Sequence, residues 1–251
     1  MASNKPSIVI VPGSFSPASL YDTLAANLRE FGYETIVGDL LSVTRGPPQP
    51  GATMEDDAGV FHEIIEKLSN QEKDVVVLTH SYGGMVGNES AKGLSKAERE
   101  IQGRPGGIIK IVYLTSVISE VGKSSPSDII PDYLTLKDDY LFLDPVPGAK
   151  AIVSDLPLEE GIKVTQKLAR HSAVNFSGQL TYAAYRWIPI VYIVCEKDKV
   201  IPPEYQRNFI ELLEKESNKP VPTISLDSGH CPNASMPEEL AKAVQKAIVE
   251  L

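Results

Sequence analysis

Residues 74–84, Asp-Val-Val-Val-Leu-Thr-His-Ser-Tyr-Gly-Gly, constrain this chain more than any other stretch. An unbroken run of valines and a leucine predicts a strand covered on both faces. It passes without a spacer into a serine and two glycines, and then into residues with helical spacing. A serine at such a strand-to-helix turn takes a strained backbone conformation that exposes its hydroxyl above the sheet. Small neighbours are needed there so that helix and strand pack closely, and Gly83 and Gly84 supply them. Thr79 stands two residues before Ser81, where a G-x-S-x-G pattern has glycine, so this elbow is expected to pack differently.

A strand buried on both faces needs neighbours of the same kind. Ser7–Val11, residues 35–38, residues 108–115, Ile190–Cys195 and Thr223–Leu226 have that character. With residues 74–79 they predict six buried strands. Helical periodicity recurs between them at residues 18–31, 54–67, from about 83, at 203–216 and at Pro237–Val249, with Pro203 and Pro237 suited to first helical turns. This alternation predicts an α/β fold: a mostly parallel sheet with helices on both faces. The rhythm breaks only at residues 119–186, rich in Pro, Asp and Tyr with one amphipathic stretch at 158–171. We read residues 119–186 as a cap inserted between the fourth and fifth strands, over the sheet's carboxyl edge, and residues 1–118 and 187–251 as the core. Residues 45–51 and 102–107 are turn-rich loops, and no internal repeat or low-complexity tract is present.

A serine hydroxyl is inert at neutral pH unless a base reaches it and a third group orients that base. Asp198 directly follows the fifth strand, at the edge where doubly wound sheets place their sites. Glu196 is the alternative acid, and Asp198 is preferred. His230, in Asp-Ser-Gly-His-Cys-Pro, follows the last strand and projects from the same edge. Of the other histidines, His62 falls on a surface helix, His80 sits beside the serine and faces away from it, and His171 lies in the cap. Ser81 as nucleophile, His230 as base and Asp198 as orienting acid are therefore the expected catalytic set. An oxyanion formed at Ser81 needs backbone donors. The amide of Tyr82, next in the chain, is one, and the amide of Ser14, in Val-Pro-Gly-Ser-Phe-Ser after the first strand, is expected to be the other, with Phe15 less favoured.

Composition narrows the partner. A formal net charge of -9 disfavours binding to nucleic acid or to anionic membranes and leaves a small, neutral or weakly charged molecule as the expected ligand. Cys195 and Cys231 alone support neither a disulfide framework nor a thiolate metal site, and no metal or other cofactor is called for. The N-terminus has no apolar leader and no stretch approaches the length of a membrane span, so cytoplasmic residence is expected. A homodimer is left open. Phe15, Tyr133, Tyr140, Phe142, Phe176 and Tyr182, together with Tyr185, are expected to wall an apolar pocket.

Taken together, these segments resemble the α/β-hydrolase superfamily over essentially the whole chain. Within it they resemble the short enzymes related to plant methylesterases and hydroxynitrile lyases, and more closely a group of fungal hydrolases. The resemblance rests on Val11-Pro12-Gly13-Ser14, His80-Ser81-Tyr82-Gly83-Gly84, residues 196–202, Gly229-His230 and the chain order serine, aspartate, histidine. It implies an α/β-hydrolase fold, an acyl-enzyme, no cofactor, and a cap that chooses the substrate; with the first strand beginning at Ser7, the six-stranded sheet is expected to lack the extra N-terminal hairpin of larger relatives. Pro12 replaces a histidine common in relatives, which removes any role for that side chain but leaves the backbone donor. Cys231 stands beside the histidine where hydroxynitrile lyases of this type carry lysine, which argues against cyanohydrin cleavage. Ser81 argues against epoxide hydrolases and dehalogenases, which place aspartate at the elbow. The expected reaction is hydrolysis of a carboxylic ester, lactone or thioester of a small to medium apolar molecule, as in secondary metabolism. A lyase or cyclase, or a ligand receptor, on the same scaffold are the rival readings.

Overall fold

A helical crossover returns the chain to the same end of the sheet, so strands joined this way pair in parallel. The computed structural model describes residues 5–125 and 131–250; the first four residues, read above for a leader, lie outside them. Before the insertion come β1 (Ser7–Val11), α1 (Asp22–Glu30), β2 (Thr35–Val37), α2 (Leu41–Thr44), α3 (Met54–Asn70), β3 (Asp74–His80), α4 (Gly83–Ser90), α5 (Lys96–Ile101) and β4 (Gly107–Leu114). The insertion holds β5 (Leu134–Lys137), β6 (Tyr140–Leu143), α6 (Pro145–Ile152), α7 (Leu158–Thr165) and β7 (His171–Ser172). After it come β8 (Ile190–Cys195), α8 (Pro203–Ser217), β9 (Thr223–Leu226), α9 (Pro232–Ser235) and α10 (Pro237–Val249).

Six strands form one sheet in the order β2-β1-β3-β4-β8-β9, and every pair in it is parallel. The order reverses between β1 and β3, so the loops leaving these two strands diverge and open a crevice at their carboxyl ends. Strand residues alternate between two cores. Ile8, Ile10, Val76, Leu78, Val112 and Ile193 pack with Leu24 and Leu28 of α1 and Leu240 and Val244 of α10. Val9, Val11, Val75, Val77, Ile111 and Tyr113 pack with Phe61 and Ile65 of α3, Met85 of α4 and Leu213 of α8. Each fully buried aliphatic side chain contributes about 1.5–3 kcal/mol.

Two expectations need correction. β9 is not covered on both faces: it is an edge strand whose Thr223 and Ser225 are exposed. The amphipathic stretch at 158–171 is helical only as far as Thr165, beyond which Ala169 donates its N–H to the Phe15 carbonyl (2.8 Å) and His171 pairs with Leu141 of β6. The insertion also builds a three-stranded antiparallel sheet, β5-β6-β7, that the sequence reading did not anticipate.

The turn after β8, which carries Asp198, is held from below. Gln206 of α8 is fully buried; its Oε1 accepts from Cys195 N–H (3.0 Å), and its Nε2 donates to the carbonyls of Cys195 (3.0 Å) and Ile201 (2.7 Å). Gln206→Leu keeps the volume but strands the Cys195 N–H and the Ile201 carbonyl, while the Cys195 carbonyl keeps the Asp198 N–H (3.3 Å). The expected loss is about 2–4 kcal/mol, read as a lower urea midpoint.

Candidate active site

β3 ends at His80, and Ser81 turns the chain with a left-handed φ of 54°. Its N–H donates to Leu114 O (3.2 Å), and its carbonyl accepts from Gly84 N–H (3.0 Å) and Val117 N–H (2.9 Å). These bonds hold a conformation that costs on the order of 1–3 kcal/mol. A Cβ at Gly83 would lie 2.6 Å from the carbonyl oxygens of Val11 and Pro12, and one at Gly84 would lie 2.4 Å from the carbonyl oxygen of Val117. Glycine is therefore dictated by backbone contact. The extra bulk of Thr79 is absorbed one turn into α4, where a Cβ at Gly87 would meet the Thr79 methyl at 2.4 Å. The Thr79 hydroxyl is bonded to Ser116 Oγ (2.8 Å).

Ser81 is one of three left-handed residues at this edge. Phe15 (φ 64°) follows β1 and Thr115 (φ 34°) follows β4. Such outliers mark places where surrounding structure over-determines the backbone.

Asp198 and His230 meet below the same edge. Asp198 Oδ1 accepts from the N–H groups of Val200 (2.7 Å) and Ile201 (2.9 Å). Its Oδ2 accepts from the Thr115 hydroxyl (2.6 Å) and from His230 Nδ1 (2.7 Å). A carboxylate only accepts, so Nδ1 carries the imidazole proton and Nε2 keeps its lone pair. Burial of Asp198 works to raise its pKa, but the His230 ring beside it and the bonds from His230, Thr115 and Ile201 outweigh burial and hold it below the ordinary carboxylate value. Glu196, the alternative acid, turns instead to Arg207 (2.9 Å) and Ser225 (2.8 Å).

His80 is more engaged than a residue merely facing away. Its Nε2 lies 2.8 Å from the His230 carbonyl and its Nδ1 lies 2.6 Å from the Tyr21 hydroxyl. The carbonyl can only accept, so Nε2–H donates to it and Nδ1 accepts from Tyr21. Tyr21 Oη in turn accepts from Gly13 N–H (3.0 Å). This chain of bonds ties the loop after β1, the elbow and the His230 loop together. Burial, and secondarily the nearby His230, lowers the His80 pKa from 6.5 to about 3. Within residues 13–16, Gly13 N–H is taken by Tyr21, Phe15 N–H by His171 Nδ1 (3.4 Å) and Ser16 N–H by Gly13 O (3.3 Å). The Ser14 amide alone in this turn has no partner among the described residues, and the Tyr82 amide has none either.

Ser14, Ser81, Tyr82 and His230 line one cavity of about 460 Å³. Its wall is mainly aliphatic, with Leu134, Leu136, Leu141, Leu143, Ile152 and Leu168 coming from the insertion. No lysine, arginine, aspartate or glutamate lines it among the described residues. Of the aromatics expected in the wall, Phe15, Tyr133 and Phe176 are there. Tyr140 is instead buried with its hydroxyl on Gln49 O (3.0 Å), Phe142 is exposed, Tyr182 reaches Glu98 (3.1 Å), and Tyr185 is buried against Ser119 O (3.0 Å). The three tyrosines are anchored by hydroxyl partners outside the crevice, and the Phe142 ring faces solvent. A larger open cleft of about 920 Å³ lies at the amino ends of the strands; it is lined by charges of both signs, of which Lys73 pairs with Glu34 (2.9 Å) and Lys96 with Asp74 (2.8 Å).

The sequence reading missed Thr115, Tyr21, Asp57 and His171 as parts of this neighbourhood. Asp57 had a legible signal: it falls on the apolar stripe of α3 with Phe61 and Ile65, where a carboxylate is out of place. The other three give no sign in the sequence.

Comparison with known proteins identifies the family and the fold. The family described as Alpha/beta hydrolase family matches residues 8–243. The protein named Probable hydrolase R7, from Phoma sp., is 36% identical over 245 residues, spanning 96% of this chain and 97% of that protein. Methylesterase 9 of Arabidopsis thaliana is 27% identical over 265 residues, spanning 95% and 96%. The crystal structure of a pyrethroid hydrolase from Sphingobium faniae superposes with a TM-score of 0.75 at 22% identity, covering 98% of each chain.

Two outcomes follow from the packing and charge of the site. Gly87→Ala is expected to destabilise by about 1–3 kcal/mol through overpacking against Thr79, offset by roughly 1 kcal/mol of helix propensity. In a Thr79→Ser background the same change turns stabilising, and thermal melting of the four proteins checks the sign reversal. The second outcome concerns pH. Burial holds both His80 and His171 neutral, with pKa values lowered from 6.5 to about 3. Between those values the unfolded chain binds more protons than the folded one, so stability falls as pH drops from about 6.5 towards 3. The loss at pH 5 is on the order of 2 kcal/mol per histidine, measured by chemical denaturation at about pH 7.5 and about pH 5.

Proposed function

The chain belongs to the alpha/beta hydrolase family, and from that premise we propose that it is a serine esterase acting through an acyl-enzyme. The observation that carries this is the orientation of His230: its Nδ1–H is spent on Asp198 at 2.7 Å, which leaves Nε2 as a base in the cavity that Ser81 lines. As Ser81 Oγ attacks a substrate carbonyl, Nε2 takes its proton, and the imidazolium so formed is stabilised by ionised Asp198. The oxyanion is met by the amides of Ser14 and Tyr82, each such donor being worth about 10²–10³ in rate. His230 then protonates the leaving alcohol, and water activated by the same nitrogen releases the acid.

The uncharged, aliphatic wall favours a neutral acyl or alcohol group of small to medium size. A coenzyme-bearing thioester would place phosphates against that wall, so a carboxylic ester or lactone fits better. The relative named a methylesterase supports an ester. Cys231, whose thiol burial keeps protonated, offers no cation next to His230, which counts against cyanohydrin cleavage. Action on a small molecule in the cytoplasm, without a cofactor, completes the reading.

A fluorophosphonate probe is expected to leave one adduct, on Ser81, mapped by mass spectrometry. Ser81→Ala should abolish it and lower kcat/KM on p-nitrophenyl butyrate by about 10⁴-fold or more. A folded wild-type protein that neither takes the adduct nor turns over the ester would defeat the proposal.

A further inference from the structure

Asp57 is a fully buried carboxylate on α3 that the reaction does not use. Burial pushes its pKa up, and four donors converge on it: Ser42 N–H (2.9 Å) and hydroxyl (2.6 Å), Asn175 Nδ2 (2.7 Å) and the Tyr82 hydroxyl (3.2 Å). The path continues through the insertion. His171, also fully buried, lies with Nε2 3.3 Å from Asn175 Oδ1 and accepts Phe15 N–H on Nδ1 at 3.4 Å. Every role along it is forced. A backbone N–H only donates, so Nδ1 accepts and Nε2 carries the proton; Asn175 must then present its oxygen to His171 and its amide to Asp57.

One end of this path reaches Tyr82 and the other reaches Phe15, the neighbour of Ser14. Tyr82 is held by its hydroxyl on Asp57 and packs edge-on to the His171 ring, with centroids 5.4 Å apart at 75°. Phe15, next to Ser14, has its N–H on His171 and its carbonyl on Ala169 N–H (2.8 Å), so insertion residues grip both polar groups of a left-handed residue. The Ser14 amide thus sits between two clamps. Tyr21 fixes Gly13 from the core, and His171 with Ala169 fixes Phe15 from the insertion.

We propose that Asp57, Asn175 and His171 form a positioning relay for the oxyanion amides, so that these amides converge only when the insertion is seated on the core. The proposal rests on the reading of Ser14 and Tyr82 as oxyanion donors. His171 touches no reacting atom in it and acts through Phe15 and Tyr82.

The test compares wild type with His171→Phe, which keeps an aromatic ring but loses both bonds, and His171→Gln, which retains an acceptor and a donor. With p-nitrophenyl butyrate, His171→Phe is expected to lower kcat by about 10²-fold with KM within about 2-fold, and to weaken an aryl trifluoromethyl ketone in proportion to kcat/KM. His171→Gln should recover most of kcat. Where His171→Phe does not fold, Asn175→Ala breaks the relay away from the cavity wall and should show the same split. A folded variant that keeps kcat within about 3-fold of wild type, or loses only KM, overturns the relay while Ser81 labelling in the wild type leaves the esterase standing. A wild type that takes no fluorophosphonate overturns both.

Discussion

Everything at the carboxyl edge of the sheet depends on how closely the first turn of α4 approaches the ends of β1 and β4. Gly83 and Gly84 bring backbone against backbone, within distances that exclude even a methyl group. That approach brings the Ser81 carbonyl within reach of Val117 N–H and its amide within reach of Leu114 O. The strained serine is thus a product of the packing around it. Thr115 and Phe15 share the same logic: each is pinned in a left-handed conformation by bonds it makes to a neighbouring loop. Strain is concentrated where three strands end together and is offset by local hydrogen bonding.

Beneath the edge, polar groups are buried in directional series. His80 and His171 each accept on Nδ1 and donate from Nε2, a pattern available only to the neutral ring. Desolvation is what keeps them neutral. An interior of this kind gains modestly from each bond made and loses heavily from each one broken, so it favours a single arrangement over near alternatives. The Asp198 carboxylate differs in purpose: its four accepted bonds keep it ionised beside His230.

Much of this was legible before any coordinates. Ser7–Val11, Ile190–Cys195, Thr223–Leu226 and Pro237–Val249 have the bounds that apolar runs and turn residues indicate, although Thr223–Leu226 lies at the sheet edge and is not buried on both faces. The approach of Asp198 and His230 followed from chain order and sheet topology. The insertion was less legible. Its short strands pair antiparallel with few residues, so their alternation is too brief to read. Its aromatics split between cavity and scaffold according to where each hydroxyl finds a partner, and that is decided by tertiary neighbours such as Gln49, Glu98 and Ser119. Asp57 and His171 are joined only through Asn175, across 114 positions of sequence, which no local pattern encodes.

The grip of Ala169 and His171 on Phe15 bears on how such proteins diversify. An insertion that only walled the cavity could be exchanged between homologues as a cassette, changing what is bound while leaving the catalytic core intact. Here the inserted segment also completes the hydrogen bonding of a core turn. Grafting a foreign insertion would disturb that turn unless it carried equivalents of both contacts. Recombination at these boundaries, in nature or by design, would then succeed chiefly among donors that share this latch, and new specificity would be reached more readily by changing single wall residues than by trading the whole segment.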